Sequence, residues 1–120
     1  PFFGGITVPT FYIVHHHLKP GMAGEWWGKT GAPMSDETVF AQNIKTTMKK
    51  GFFNHAFMPM NSEGPIYCVW EAKEGISDSQ FQDFIDGPYG VNWGLVALNN
   101  NAMKIDLALT GGQTPYERKF

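Results

Sequence analysis

Three consecutive histidines, His15, His16 and His17, stand in the run TFYIVHHHLK, and a fourth, His55, stands in FFNHAFMPM. Imidazole nitrogens bind divalent transition metals and act as bases near neutral pH. Glu71, near the end of IYCVWEA, could add a carboxylate to the same ion. Along a regular strand successive side chains alternate, so His15 and His17 face one way and His16 the other. All three cannot hold one ion unless the strand bends. Whether His55 meets Glu71 depends on the hairpin that joins their segments. A four-residue loop, Asn61 to Gly64, pairs Met60 with Pro65 and sets His55 opposite Trp70. A five-residue loop pairs Met60 with Ile66 and sets His55 opposite Glu71. A slip of one residue flips the face. Pro65, which has no N–H to give to the ladder, favours the longer loop. The competing reading makes the triple histidine a polar strand end and His55 a hydrogen-bonded core residue. Neither H-x-x-E-H nor C-x-x-C spacing marks a closed site. Cys68 alternates with aromatic residues and reads as a buried small hydrophobe, not a nucleophile.

The elements that must position these groups follow from apolar periodicity and from the breakers. Residues 1–9, PFFGGITVP, form an apolar arm punctuated by Gly and Pro. Thr10 to Lys19 reads as a strand with apolar residues on both faces, hence central in a sheet. Met22 to Met34 carries Trp26 and Trp27 but also Gly28, Gly31 and Pro33, and reads as a broken helix or a loop. Ser35 or Asp36 caps a helix running to Lys50, with Val39, Phe40, Ile44 and Met48 as its apolar stripe and Gly51 as its C-cap. Phe52 to Ala72 is a hairpin, with Pro59 placing its first strand at an edge. An unbroken alternation there puts Phe53 and Phe57 on one face and Ala56 and Met58 on the other. Ser77 and Gln80 have capping-box spacing and open a helix that buries Phe81, Phe84 and Ile85. Tyr89 to Asn101 is ambiguous and ends in a turn at Asn99-Asn100-Asn101. Ala102 to Leu109 is the last strand, and residues 110–120 are a polar tail.

The order strand, helix, hairpin, helix, strand predicts an α+β domain over residues 10–109. It is the ferredoxin-like split β-α-β arrangement, a four-stranded antiparallel sheet with both helices on one face. The strands carry apolar residues on both faces, so the second face requires cover from a second copy, another protein or the arms.

Composition narrows the function classes. A net charge of −2 gives no electrostatic footprint for nucleic acid. No apolar run approaches the ~20 residues of a membrane span. One cysteine excludes an internal disulfide and suits a reducing intracellular compartment. A chain starting at Pro1 is expected to have a processed or trimmed terminus, which fits the cytoplasm or a plastid stroma. At 15% the aromatic content exceeds what a simple core needs. Phe2, Phe3, Trp26 and Trp27 are therefore candidate interface anchors.

YIVHH, NHAF and YCVWEA, taken together, resemble the small nickel-responsive proteins and their relatives. Those are ferredoxin-like domains that commonly pair sheet to sheet as dimeric α+β barrels. The likeness runs from the first strand to the second helix. It implies a divalent metal, nickel or zinc, at His15 or His16 and at His55, with Glu71 as a candidate further ligand. The expected function is a small non-catalytic protein, a homodimer, binding a metal or another ligand through its strand histidines. One alternative is a peripheral structural subunit docked on a larger assembly, for example an organellar photosynthetic membrane complex. Another is a haem- or monooxygenase-type α+β barrel enzyme with its pocket between helices and sheet, although no catalytic residue can be named.

Overall fold

The computed structural model describes residues 2–3, 6–7 and 9–120, with side chains from Pro9 onward except that of Ala32. The proposed anchors Phe2 and Phe3 lie outside the described side chains. Strands β1 (Phe2–Phe3) and β2 (Ile6–Thr7) pair antiparallel with each other. The main sheet contains β3 (Thr10–Leu18), β4 (Phe52–Pro59), β5 (Ile66–Ala72) and β6 (Leu98–Lys104), all antiparallel, in the order β4-β5-β3-β6. β3, apolar on both faces, is central as that pattern requires.

One face carries the main core. Tyr12 and Val14 of β3 and Ile66, Cys68 and Trp70 of β5 pack there under helix α3 (Asp78–Asp86). Ser77 forms the expected capping box with Gln80. Phe81 and Ile85 are fully buried, and Phe81 stacks on Tyr12 with ring centroids 3.9 Å apart. Phe84, half-buried, stacks on Phe52.

Ala23–Ser35 is a continuous helix, α1, where the sequence suggests a broken helix or a loop. Tertiary anchoring outweighs its glycines. Trp26 is fully buried and its Nε1 donates to Val91 O at 2.7 Å. Thr30 Oγ1 donates to Trp26 O and accepts from Trp93 Nε1. Pro33 falls in the last turn.

Helix α2 (Glu37–Lys50) has the predicted ends. Asp36 accepts from Thr38 N and Val39 N, and Gly51 takes the left-handed conformation at φ 95°. Its stripe is the surprise. Val39 is 40% exposed and Phe40 45%, and among the described residues of α2 Thr47 alone is buried. α2 therefore stands off the sheet beside edge strand β4, and does not seal the core as its periodicity predicts.

The last strand begins earlier than expected. Asn99, Asn100 and Asn101 form a turn in the sequence reading but lie within β6. Asn100 pays for its place with three contacts: Oδ1 to His16, and Nδ2 donating to Ile85 O and Asp86 Oδ1. Beyond β6 the chain makes a 3-10 turn at Leu107–Thr110.

In the hairpin, Met60 N donates to Pro65 O and Pro59 pairs with Ile66, so the shorter loop is the one formed. A β-bulge between Asn54 and Ala56 then shifts the register by one residue, with His55 as the extra one. Phe53 lies opposite Glu71 and Phe57 opposite Cys68. The two phenylalanines thus face opposite sides, correcting the single-face assignment.

Half of the second face is covered by the chain's own C-terminal segment. Phe11, Val69 and Leu107 form a small buried cluster with Ala56 and Ile105 against it. The half around Ile13, Met58 and Met103 stays open.

Candidate functional site

The structure separates the candidate ligands into three places. His16 points into the main core, fully buried, and its Nδ1 donates to Asn100 Oδ1 at 2.5 Å. Its Nε2 has no hydrogen-bond partner among the described residues. Burial pushes the His16 imidazole down to about 4, against the opposing pull of Asn100 and Asp86. The folded pKa is thus below the ordinary ~6.5 of an unfolded chain, so the unfolded state takes up the proton first. The associated stability is whole above pH ~6.5 and drains away as pH falls toward ~4, by roughly 3 kcal/mol. Urea unfolding at pH 7 and pH 4 (nominal values about this window) should show that extra loss in the wild type and not in His16→Leu. Equal losses would remove His16 as its source.

His15 and His17 share the second face, with ring centroids 4.0 Å apart, and His15 stacks on Tyr67. Partial burial and the neighbouring His17 both hold the His15 imidazole below its usual range.

His55 is on that face too, placed by the bulge. Its Nε2 donates to Glu71 Oε1 at 2.7 Å. Its ring stacks on Phe11 and on Tyr116 from the tail. Glu71 is fully buried, and it also accepts from Lys119 N at 2.9 Å and Phe120 N at 3.0 Å. So His55 and Glu71 do meet, through a bulge and not through the longer loop. They meet beneath the tail, with the carboxylate's acceptor positions filled by protein N–H groups. His15 lies four residues along β3 from Phe11, about 13 Å at ~3.3 Å per residue. The donors that the family resemblance implies therefore do not converge on one ion. Among the described residues no group of three or more His, Cys, Asp and Glu side chains is placed to hold a metal.

Trp26 is a core anchor, not a surface one, and Trp27 Nε1 donates to Ser62 O in the hairpin loop. Cys68 is buried, with its thiol pushed up to about 12 by desolvation, as an inert core residue requires.

What the sequence does not announce is a cavity of about 290 Å³ between α2, β4 and the segment from Tyr89 to Trp93. The stripe residues Phe40 and Ile44 form one wall, and Phe57, Trp70, Val91 and Trp93 form the others. Five consecutive residues of edge strand β4, Phe53 to Phe57, border it. Asn43 and Thr47, one helical turn apart on α2, supply side-chain polar groups. No Lys, Arg, Asp or Glu lines it among the described residues. The far wall is held in place at Gly90, where a Cβ would come 2.8 Å from Ile85 O. The one advance signal was the α2 stripe itself, which periodicity identifies but cannot assign to a partner surface. Phe53 and His55 border the cavity, yet the His55 ring is stacked on the second face and its Nε2 is taken by Glu71.

No helix among the described residues is long and apolar enough to cross a membrane. No curated protein and no solved structure matches the chain. The family described as Domain of unknown function (DUF8652) matches over residues 11–113, and the chain belongs to it.

Proposed function

We propose that this is a small non-catalytic binding protein of the ferredoxin-like type, taking a small apolar ligand in the cavity between α2 and β4. The strand order, with helical connections from β3 to β4 and from β5 to β6, supports the fold assignment. The function rests on one observation: an apolar helix stripe left partly exposed over a cavity of about 290 Å³. Ligand sites are concave and mostly apolar, with a few placed polar groups, and start near ~300 Å³. N-phenyl-1-naphthylamine, an uncharged probe that fluoresces in apolar surroundings, should bind the full chain with a Kd of order micromolar, about −8 kcal/mol. Ile44→Trp, which fills the cavity from α2, should weaken that binding at least ~10-fold, or ~1.4 kcal/mol, with the circular dichroism unchanged. Undiminished binding in Ile44→Trp would place the ligand elsewhere.

A second reading, metal binding through strand histidines, is favoured by the His15–His17 pair. Two imidazoles with ring centroids 4.0 Å apart on the second face offer two positions of a coordination sphere once the His15 ring turns, since its Nε2 is buried and has no hydrogen-bond partner among the described residues. Water, or the same pair from a second copy in a dimeric α+β barrel, would complete it. Calorimetric titration with Ni²⁺ or Zn²⁺ should give heat that the double variant His15→Ala/His17→Ala lacks. That heat should fade below pH ~6, since a protonated imidazole has no lone pair to donate. Equal heats in both proteins would end this reading.

A further inference from the structure

We infer that the ligand of the cavity between α2 and β4 is a small amphiphile with an anionic head group, a carboxylate for instance, and that Lys45, Lys49 and Lys50 of α2 select it. This rests on the cavity reading above and adds the polar end of the ligand and its charge.

Three observations carry it. The first is continuity. An open groove along the C-terminal half of α2 is lined by Ile44, Met48 and Tyr89 together with the three lysines. Ile44 and Tyr89 also line the cavity, so an apolar chamber and a cationic groove adjoin at these two side chains. The Lys50 ammonium lies 4.1 Å from the centre of the Tyr89 ring, which brings one positive charge to the junction itself.

The second is charge balance. No Asp or Glu lines the groove or the cavity among the described residues. None of the three lysines is in an ion pair there. Lys49 and Lys50 answer the negative end of the helix dipole. That effect fades beyond the last turn and leaves Lys45 without a reason. Lys45 has Lys49 four residues on, a like-charge spacing that destabilises a helix, and no carboxylate three or four residues to either side. An anion held beside them turns that repulsion into attraction.

The third is the inner part of the cavity. His55 is the basic side chain of its wall, but its Nε2 donates to the buried Glu71 carboxylate. No uncompensated positive charge draws a head group inward, and Phe57, Trp70, Val91 and Trp93 offer walls for an apolar body. At about 290 Å³ the cavity is at the small end of ligand sites, which suits one short chain or ring and not the paired chains of a membrane lipid.

The test is displacement of N-phenyl-1-naphthylamine from the full chain by decanoate, 1-decanol and decylammonium, at about pH 7.5, where a carboxylic acid is ionised. The three share one chain and differ in head charge. A site without cations would rank the alcohol first, because its head is the least costly to desolvate. Here decanoate should bind about 10-fold more tightly than decanol, as one charge-assisted hydrogen bond gives. Decylammonium should bind at least ~10-fold more weakly than decanoate. Raising NaCl from ~0.05 M to ~0.5 M should cut decanoate's advantage at least ~3-fold, because the lysines are exposed. Lys45→Gln/Lys49→Gln/Lys50→Gln should erase that advantage and leave decanol within about twofold of its wild-type affinity. Lys29→Gln, on α1 outside the groove, should change neither. Should the triple variant fail to fold, Lys50→Gln alone should lower the advantage about threefold. Decanol binding as tightly as decanoate in the wild type overturns the inference. So does an advantage that survives unchanged in the variant or in high salt, or decylammonium that binds as well as decanoate. If neither the probe nor decanol binds, the cavity reading itself falls, and this inference with it.

Discussion

Phe81→Ala should lower the free energy of unfolding by about 3–5 kcal/mol, the range for removing a fully buried phenylalanine. Phe81 is the point where α3 is fixed to the sheet. It is completely buried, lies flat on Tyr12 at 3.9 Å, and touches the aromatic group of Phe52 and Phe84. Removing the ring leaves a void that Tyr12 cannot fill, because its hydroxyl is held by Asp78 at 2.6 Å. Phe84→Ala should cost less, about 2 kcal/mol, since that ring is only half-buried. Urea denaturation of the two variants checks both size and order. A loss below about 1 kcal/mol for Phe81→Ala, the level of an average substitution, would show that α3 is held by something else.

Glu71→Ala should be comparably damaging, about 3–5 kcal/mol, because breaking a buried pair strands its partners. The carboxylate is wholly buried and collects His55 Nε2, Lys119 N and Phe120 N. Alanine leaves all three donors without an acceptor, in a place where each unmade bond costs ~1–3 kcal/mol. Glu71→Gln keeps a carbonyl oxygen and should lose less. The tail gives a second readout. Tyr116 and Lys119 rest on His55 and Phe53, so loss of Glu71 should speed tryptic cleavage at Arg118. Unchanged stability together with unchanged cleavage would mean that the tail is fixed without Glu71.

The sequence made β3, the cap residues Asp36, Gly51 and Ser77, and the buried face of α3 readable, because each depends on its own residues and near neighbours. What it hid depends on distant partners. α1 exists in spite of Gly28, Gly31 and Pro33 because Trp26 reaches Val91, 65 residues away. Asn99 to Asn101 carry turn chemistry but pair as strand because Asn100 finds acceptors and a donor on α3 and β3. The bulge at His55 was the decisive hidden feature. Pro65 argued for the longer loop, yet the shorter one forms and a single extra residue restores the His55–Glu71 contact. The candidate histidines were thus correctly located on strands while their partners were not legible. The cavity was legible only as a stripe on α2 whose covering surface could not be known.

On the proposed ligand-binding reading, that stripe also makes the protein's folding equilibrium answerable to its surroundings. A helix whose apolar side is finished by its own sheet contributes a fixed increment to stability. α2, with Phe40 and Ile44 lining the cavity, leaves part of that increment, on the proposed reading, to the ligand. Any occupant that binds only the folded chain adds RT ln(1 + [L]/Kd), about 2.7 kcal/mol at a hundredfold excess over Kd. On the proposed reading, the melting temperature of this domain is a property of the chain and of the ligand concentration together, and the ligand-free form is the least stable member of the series.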